Sequence, residues 1–140
     1  MKGFDSPLWY RLNPDGSVTG VDDPRGAMQP IDERRIDETY LSAKGKPRRS
    51  WRIGRLTLRL VGWRREREEI RVSTVFLSLD HAHFDGPPIL FETMIFGGEH
   101  DMWQDRYATI EQARRGHQRV VENLRAGRDP GSESPDEVNW

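Results

Sequence analysis

Residues 70–97 read IRVSTVFLSLDHAHFDGPPILFETMIFG and decide the fold. They hold two apolar runs, 72–79 and 89–96, joined by a polar loop that closes on Gly86, Pro87 and Pro88. Each run has the length of one strand and is too short for a core helix. Each is rich in β-branched and aromatic residues, which suit a pleated buried surface. Val75, Leu77 and Leu79 fall on one side of the first run, and Val72 and Phe76 on the other, so both faces need cover. The runs are expected to form the central antiparallel pair of a sheet.

The chain runs outward from this pair in both directions. Residues 8–12 (LWYRL) and 17–21 (SVTGV) flank Asn13-Pro14-Asp15-Gly16, a strong turn signal, and predict a hairpin. Two prolines and a glycine in 23–30 argue for loop. In 33–41, Ile36 and Tyr40 fit either a helix face or one side of a strand, and strand is the reading taken. Residues 43–50 read as a basic connector. Residues 55–63 (RLTLRLVGW) alternate cleanly, with Leu56, Leu58 and Leu60 on one side and Arg55, Thr57 and Arg59 on the other. That is a strand covered on one face. Residues 64–69 (RREREE) are too charged for a core and read as its connection to the central strand.

Residues 99–108 read as a polar loop. A helix then opens on the capping box Thr109/Gln112 and carries Ile110, Ala113, His117, Val120 and Leu124 at alternating spacings of three and four. Gly127 ends it. Gly116 costs the helix about 1 kcal/mol against alanine, and a close helix–sheet approach would explain its presence. The expected fold is α+β: one domain over 1–127, with an antiparallel sheet of about five or six strands and one long C-terminal helix packed across it. The acidic, proline-bearing residues 128–140 read as a disordered tail.

With 140 residues the chain is sized for one domain and can bury a core without staples. There is no cysteine, which fits a reducing compartment, and no apolar stretch of membrane-spanning length. The expectation is a soluble cytoplasmic protein. The net charge of −1 hides a split, because 44–71 holds 11 Lys/Arg against 3 Asp/Glu, a local balance of +8. Arg48, Arg49, Arg52, Arg55, Arg59, Arg64, Arg65 and Arg67 lie there, with Trp51 and Trp63 interleaved. Arginine with tryptophan can hold phosphate and stack bases, and the same residue types make protein-interface hot spots.

The stretches 72–81 (VSTVFLSLDH), 86–98 (GPPILFETMIFGG) and 105–121 (DRYATIEQARRGHQRVV) resemble a widespread family of small phage and prophage proteins of unassigned function. The resemblance covers about the C-terminal half. The family usually has glycine where this chain has Ser78, and its shorter members lack the basic stretch. What the resemblance implies is a phage-related origin; with the small size, the expectation is an accessory protein that binds a host macromolecule, for instance to inhibit a defence or nucleic-acid enzyme. Two other functions stay open. Asp80, His81, His83 and Asp85 carry metal-ligating groups, so a metal-dependent hydrolase is one alternative. A nucleic-acid-binding module built on 44–71 is the other. No phosphate loop, dinucleotide fingerprint or nucleophile motif is present, and no cofactor is expected. His117 is expected to be a core histidine bonded to His81, Asp80 or Glu92. Glu92, inside an apolar strand, needs a partner such as His81, Tyr107 or Arg106.

Overall fold

The computed structural model describes residues 7–42, 69–82 and 85–133. The two apolar runs pair antiparallel as β4 (Glu69–Phe76) and β5 (Phe91–Phe96), with Val72 opposite Ile95 and Phe76 opposite Phe91. β3 (Arg35–Ser42) lies beyond β4 and β6 (Gln104–Tyr107) beyond β5, giving a four-stranded sheet in the order β3-β4-β5-β6. The apolar strands sit in the middle because only they are buried along their length. Val72, Phe76 and Ile95 are fully buried.

The C-terminal helix α3 (Ile110–Arg125) crosses one face of this sheet and touches all four strands. Thr109 Oγ1 accepts from the Gln112 N–H at 3.2 Å, and Gln112 Oε1 accepts from the Thr109 N–H at 3.2 Å. The capping box thus satisfies two orphan donors at the helix start. Ala113, His117 and Val120 are buried, as the stripe requires. One apolar cluster joins Phe76, Leu90, Phe91, Tyr107 and Ala113, and a second joins Val72, Ile95, Val120 and Val121. Gly116 is where the helix comes closest: an added Cβ would run into the Tyr107 hydroxyl and Cζ and lie 2.6 Å from Cε1.

The N-terminal hairpin forms as β1 (Trp9–Leu12) and β2 (Val18–Val21), closed by Gly16 at φ +86°. Among the described residues the strands divide into a sheet of four and a sheet of two, where one sheet of five or six was expected. β4 ends at Phe76 and Ser78, two residues on, has φ +66°, so the run 72–79 is not one straight strand. Past it the backbone pairs with β1 through Tyr10 N–H to Ser78 O at 2.8 Å and Asp80 N–H to Leu8 O at 3.0 Å.

Other local expectations need correction. Residues 23–30 are not all loop, because Pro24–Ala27 makes one helical turn, α1, and Asp23 caps it by accepting from Arg25 N–H at 2.9 Å. Asp-Pro here is a helix start, since proline at the first position gives up an N–H that would be orphaned anyway. Residues 33–41 split between a second turn, α2 (Ile31–Arg34), and β3, whose pairing slips by a bulge between Arg35 and Asp37. β6 replaces part of the expected polar loop. At the start of the expected disordered tail, residues up to 133 fold back on α3. Asn123 Nδ2 donates to Pro130 O at 3.2 Å and Ser132 O at 2.8 Å, and Pro130 is fully buried. The strand expected over 55–63 lies outside the described residues, as do all ten arginines and tryptophans singled out between Arg48 and Arg67.

Candidate functional site

The register lines up Asp37, Thr74, Thr93 and Asp105 across the whole sheet, one from each strand. Threonine suits a strand, so two polar side chains enter the core without weakening β4 or β5. The helix stripe places His117 over the middle of the row. Thr74 Oγ1 is 2.8 Å from His117 Nδ1 and 2.6 Å from Thr93 Oγ1, while Thr39 Oγ1 is 2.8 Å from Nε2. The neutral ring donates from one nitrogen and accepts at the other, and a hydroxyl can reciprocate either way, so both are satisfied. Burial pushes the His117 pKa below its usual value, with Asp37 pulling it up by less. The neutral form is therefore the folded form at pH 7.

Acid, imidazole and hydroxyl stand here in the order of a nucleophilic triad. The geometry does not make one. Asp37 Oδ2 is 3.8 Å from Nε2, too far for a hydrogen bond, and Thr39 occupies that nitrogen. Thr74 and Thr93 are 0% exposed and His117 is 2% exposed, so no substrate carbonyl reaches either hydroxyl. The seam is a satisfied polar layer inside the core.

His117 thus bonds threonines, not His81, Asp80 or Glu92. Glu92 takes the third of its expected partners: Arg106 Nε donates to Glu92 Oε2 at 2.8 Å. Asp80 Oδ1 accepts from Ala82 N–H at 2.8 Å and Ile89 N–H at 3.0 Å, closing the loop between β4 and β5. His81 N–H donates to Ile89 O at 3.0 Å. His83 lies outside the described residues, and among the described residues no three of His, Cys, Asp and Glu gather as metal ligands.

Two further surfaces carry chemistry. On the face away from α3, Tyr40, Arg71 and Phe96 stand in register on β3, β4 and β5. The Arg71 guanidinium lies 4.3 Å over the Phe96 ring, and Tyr40 is 55% exposed. Glu38 sits between Arg35 at 3.3 Å and Arg71 at 3.5 Å. Arg71 is the last residue of the basic stretch. The second surface is an open cleft of about 510 Å³ between β6 and α3, lined by Asp105, Arg106, Tyr107, Gln112, Arg115, Gly116 and Arg119. Sequence reading named none of these as a site. The available signal was the spacing 112, 115, 116, 119, which sets four residues along one line of the helix.

Comparison with family models, with curated proteins and with solved structures returned no match. Among the described residues no helix is long and apolar enough to cross a membrane.

Proposed function

We propose that the protein acts by binding a host protein, and that the face bearing Tyr40, Arg71 and Phe96 forms part of the contact. The observation that carries this reading is the cross-strand row itself. It combines an exposed tyrosine with an arginine stacked on a phenylalanine, residue types that dominate interface energetics. The phage-related resemblance supports a host protein as the target class, and Arg71 is the last residue of the basic stretch 44–71 in sequence. A nucleic acid is the second reading, favoured by the +8 balance of 44–71 with Trp51 and Trp63 inside it. The described part of the face counts against it. Arg35 and Arg71 flank Glu38, and Arg106 holds Glu92, so a polyanion would meet two carboxylates there. A protein surface can answer charges of both signs.

A photo-crosslinking residue placed at Tyr40, with a control at the exposed Leu8 just before β1, tests this. The expected result is a protein adduct from host lysate at position 40 alone, abolished by Arg71→Glu with Phe96→Ala. Adducts of equal yield at both positions, or an adduct indifferent to the double variant, would refute it. Binding to random-sequence nucleic acid that falls steeply with salt would transfer support to the second reading.

A further inference from the structure

Where the two sheets meet, β1, α1, α2 and the residues after β4 enclose a cavity of about 230 Å³. Trp9, Ala27, Met28 and Leu77 give it apolar walls. Those walls are tied together. Tyr10 N–H donates to Ser78 O at 2.8 Å. Gln29 clamps the Leu12 backbone, its Oε1 accepting at 2.8 Å and its Nε2 donating at 2.9 Å. Met28 is 79% exposed, and its flexible thioether can shape itself around an incoming group.

One charge faces this oily space. Arg34, half-buried at the end of α2, lines the cavity. Its neighbour Arg35 takes the nearby acids, Asp32 at 3.9 Å and Glu38 at 3.3 Å. The Arg34 guanidinium has no hydrogen-bond or ion-pair partner among the described residues. Its Nε is closed off from solvent and its two terminal nitrogens are not, so those two are what a ligand would meet. The Ser78 hydroxyl is closed off as well and takes no part. Among the described residues no carboxylate lines the cavity; Glu33, which is exposed, meets Gln29 Nε2 at 3.3 Å outside it. A half-buried charge without a counter-charge is unfavourable, and apolar walls strengthen its pull on an anion. A guanidinium matches the two oxygens of a carboxylate. The space equals about seven or eight waters at about 30 Å³ each. It is smaller than the roughly 300–1,000 Å³ of drug-sized pockets, so it suits a short tail.

We infer that this cavity binds a small monocarboxylate with an apolar tail, the carboxylate on the terminal nitrogens of Arg34 and the tail among Trp9, Ala27, Met28 and Leu77. A free acid and the C-terminal residue of a peptide share this chemistry. The site does not depend on the protein-docking reading, because it has no residue in common with the row of Tyr40, Arg71 and Phe96.

The test is an NMR titration of the full chain carrying methyl-labelled methionine. Met28 reports on the cavity, and Met102, 61% exposed in the turn between β5 and β6, is the control. Hexanoate is expected to shift Met28 saturably and leave Met102 in place. Hexylamine and 1-hexanol keep the tail without the negative charge, and acetate keeps the charge without the tail; each should bind at least about tenfold more weakly, since a hydrogen bond to a charged group is worth about that much. Arg34→Gln should erase the preference for hexanoate over 1-hexanol, and Arg34→Lys should retain part of it. The ligand comparisons use the parent chain alone, so they decide the matter even if a variant fails to fold. Tighter binding of N-acetyl-glycyl-leucine than of hexanoate would assign the site to a peptide C-terminus, and the reverse order to a free acid. A Met28 shift that fails to saturate, equal binding of hexylamine or 1-hexanol, or a preference that survives Arg34→Gln would overturn the assignment.

Discussion

Gly116→Ala inverts the usual expectation for a helix glycine. In an open helix interior the substitution stabilises by about 1 kcal/mol, because alanine loses less backbone freedom on folding. Here the new methyl would lie 2.6 Å from Tyr107 Cε1 and nearer still to Cζ and the hydroxyl. Carbon atoms rest at about 3.5–4.0 Å, so the ring must retreat by about 1 Å. It has little room, being 8% exposed and packed in the cluster with Phe76, Leu90 and Phe91. Overpacking of this kind costs about 1–3 kcal/mol, and a rigid ring belongs at the upper end. Set against the propensity gain, the net loss is about 1–2 kcal/mol. Urea denaturation should show a lower midpoint with an unchanged slope. The companion variant Tyr107→Leu shortens the opposing side chain. Combined with Gly116→Ala it should lose less than the sum of the single losses by at least about 1 kcal/mol. A rise in stability for Gly116→Ala alone, or simple additivity in the pair, would refute the close approach of α3 to β6.

Three other outcomes follow from the geometry. Thr74→Val keeps the shape of the side chain but leaves His117 Nδ1 and Thr93 Oγ1 without their partner, and should destabilise by about 2–4 kcal/mol in the same assay. Stability should fall as pH is lowered through 6.5, the usual histidine value. The His117 pKa is depressed in the fold, so the unfolded chain takes up the proton first; urea midpoints from pH 7.5 to 5.5 should decline more steeply than in His117→Gln. Ser78→Gly should stabilise by about 1 kcal/mol: it relieves a left-handed φ worth about 1–2 kcal/mol and removes an unpartnered buried hydroxyl, against about 0.5–1 kcal/mol for the freer unfolded chain, as thermal melts will show.

The features legible in the sequence are those whose cause is local. Apolar runs of strand length identified β4 and β5, and a capping box with a stripe at spacings of three and four identified α3. β6 was hidden because its four residues, Gln104 to Tyr107, are mostly polar, which an edge strand tolerates and a pattern search reads as loop. The bulge between Arg35 and Asp37 breaks the alternation by which β3 would announce itself. Ser78 reads as an ordinary strand residue, and only its φ shows that the strand stops two residues earlier. The partners of His117 were illegible for another reason. They depend on which threonines the strand register brings under one helix turn, and register is a property of pairs of strands. The cleft at Tyr107 depends likewise on an edge strand that sequence reading had not found.

The threonine–histidine layer has a consequence for how the chain finds a single arrangement. Greasy side chains are interchangeable, and a purely oily interior would tolerate strands sliding past one another or a helix rotated by a fraction of a turn. Three hydroxyls and one imidazole that complete each other in one alignment only are not interchangeable. Slide β5 by two residues and Thr74 meets Phe91 or Ile95 while the imidazole is stranded in oil. The layer is a keyway cut through the middle of the molecule, and it confers uniqueness more than strength.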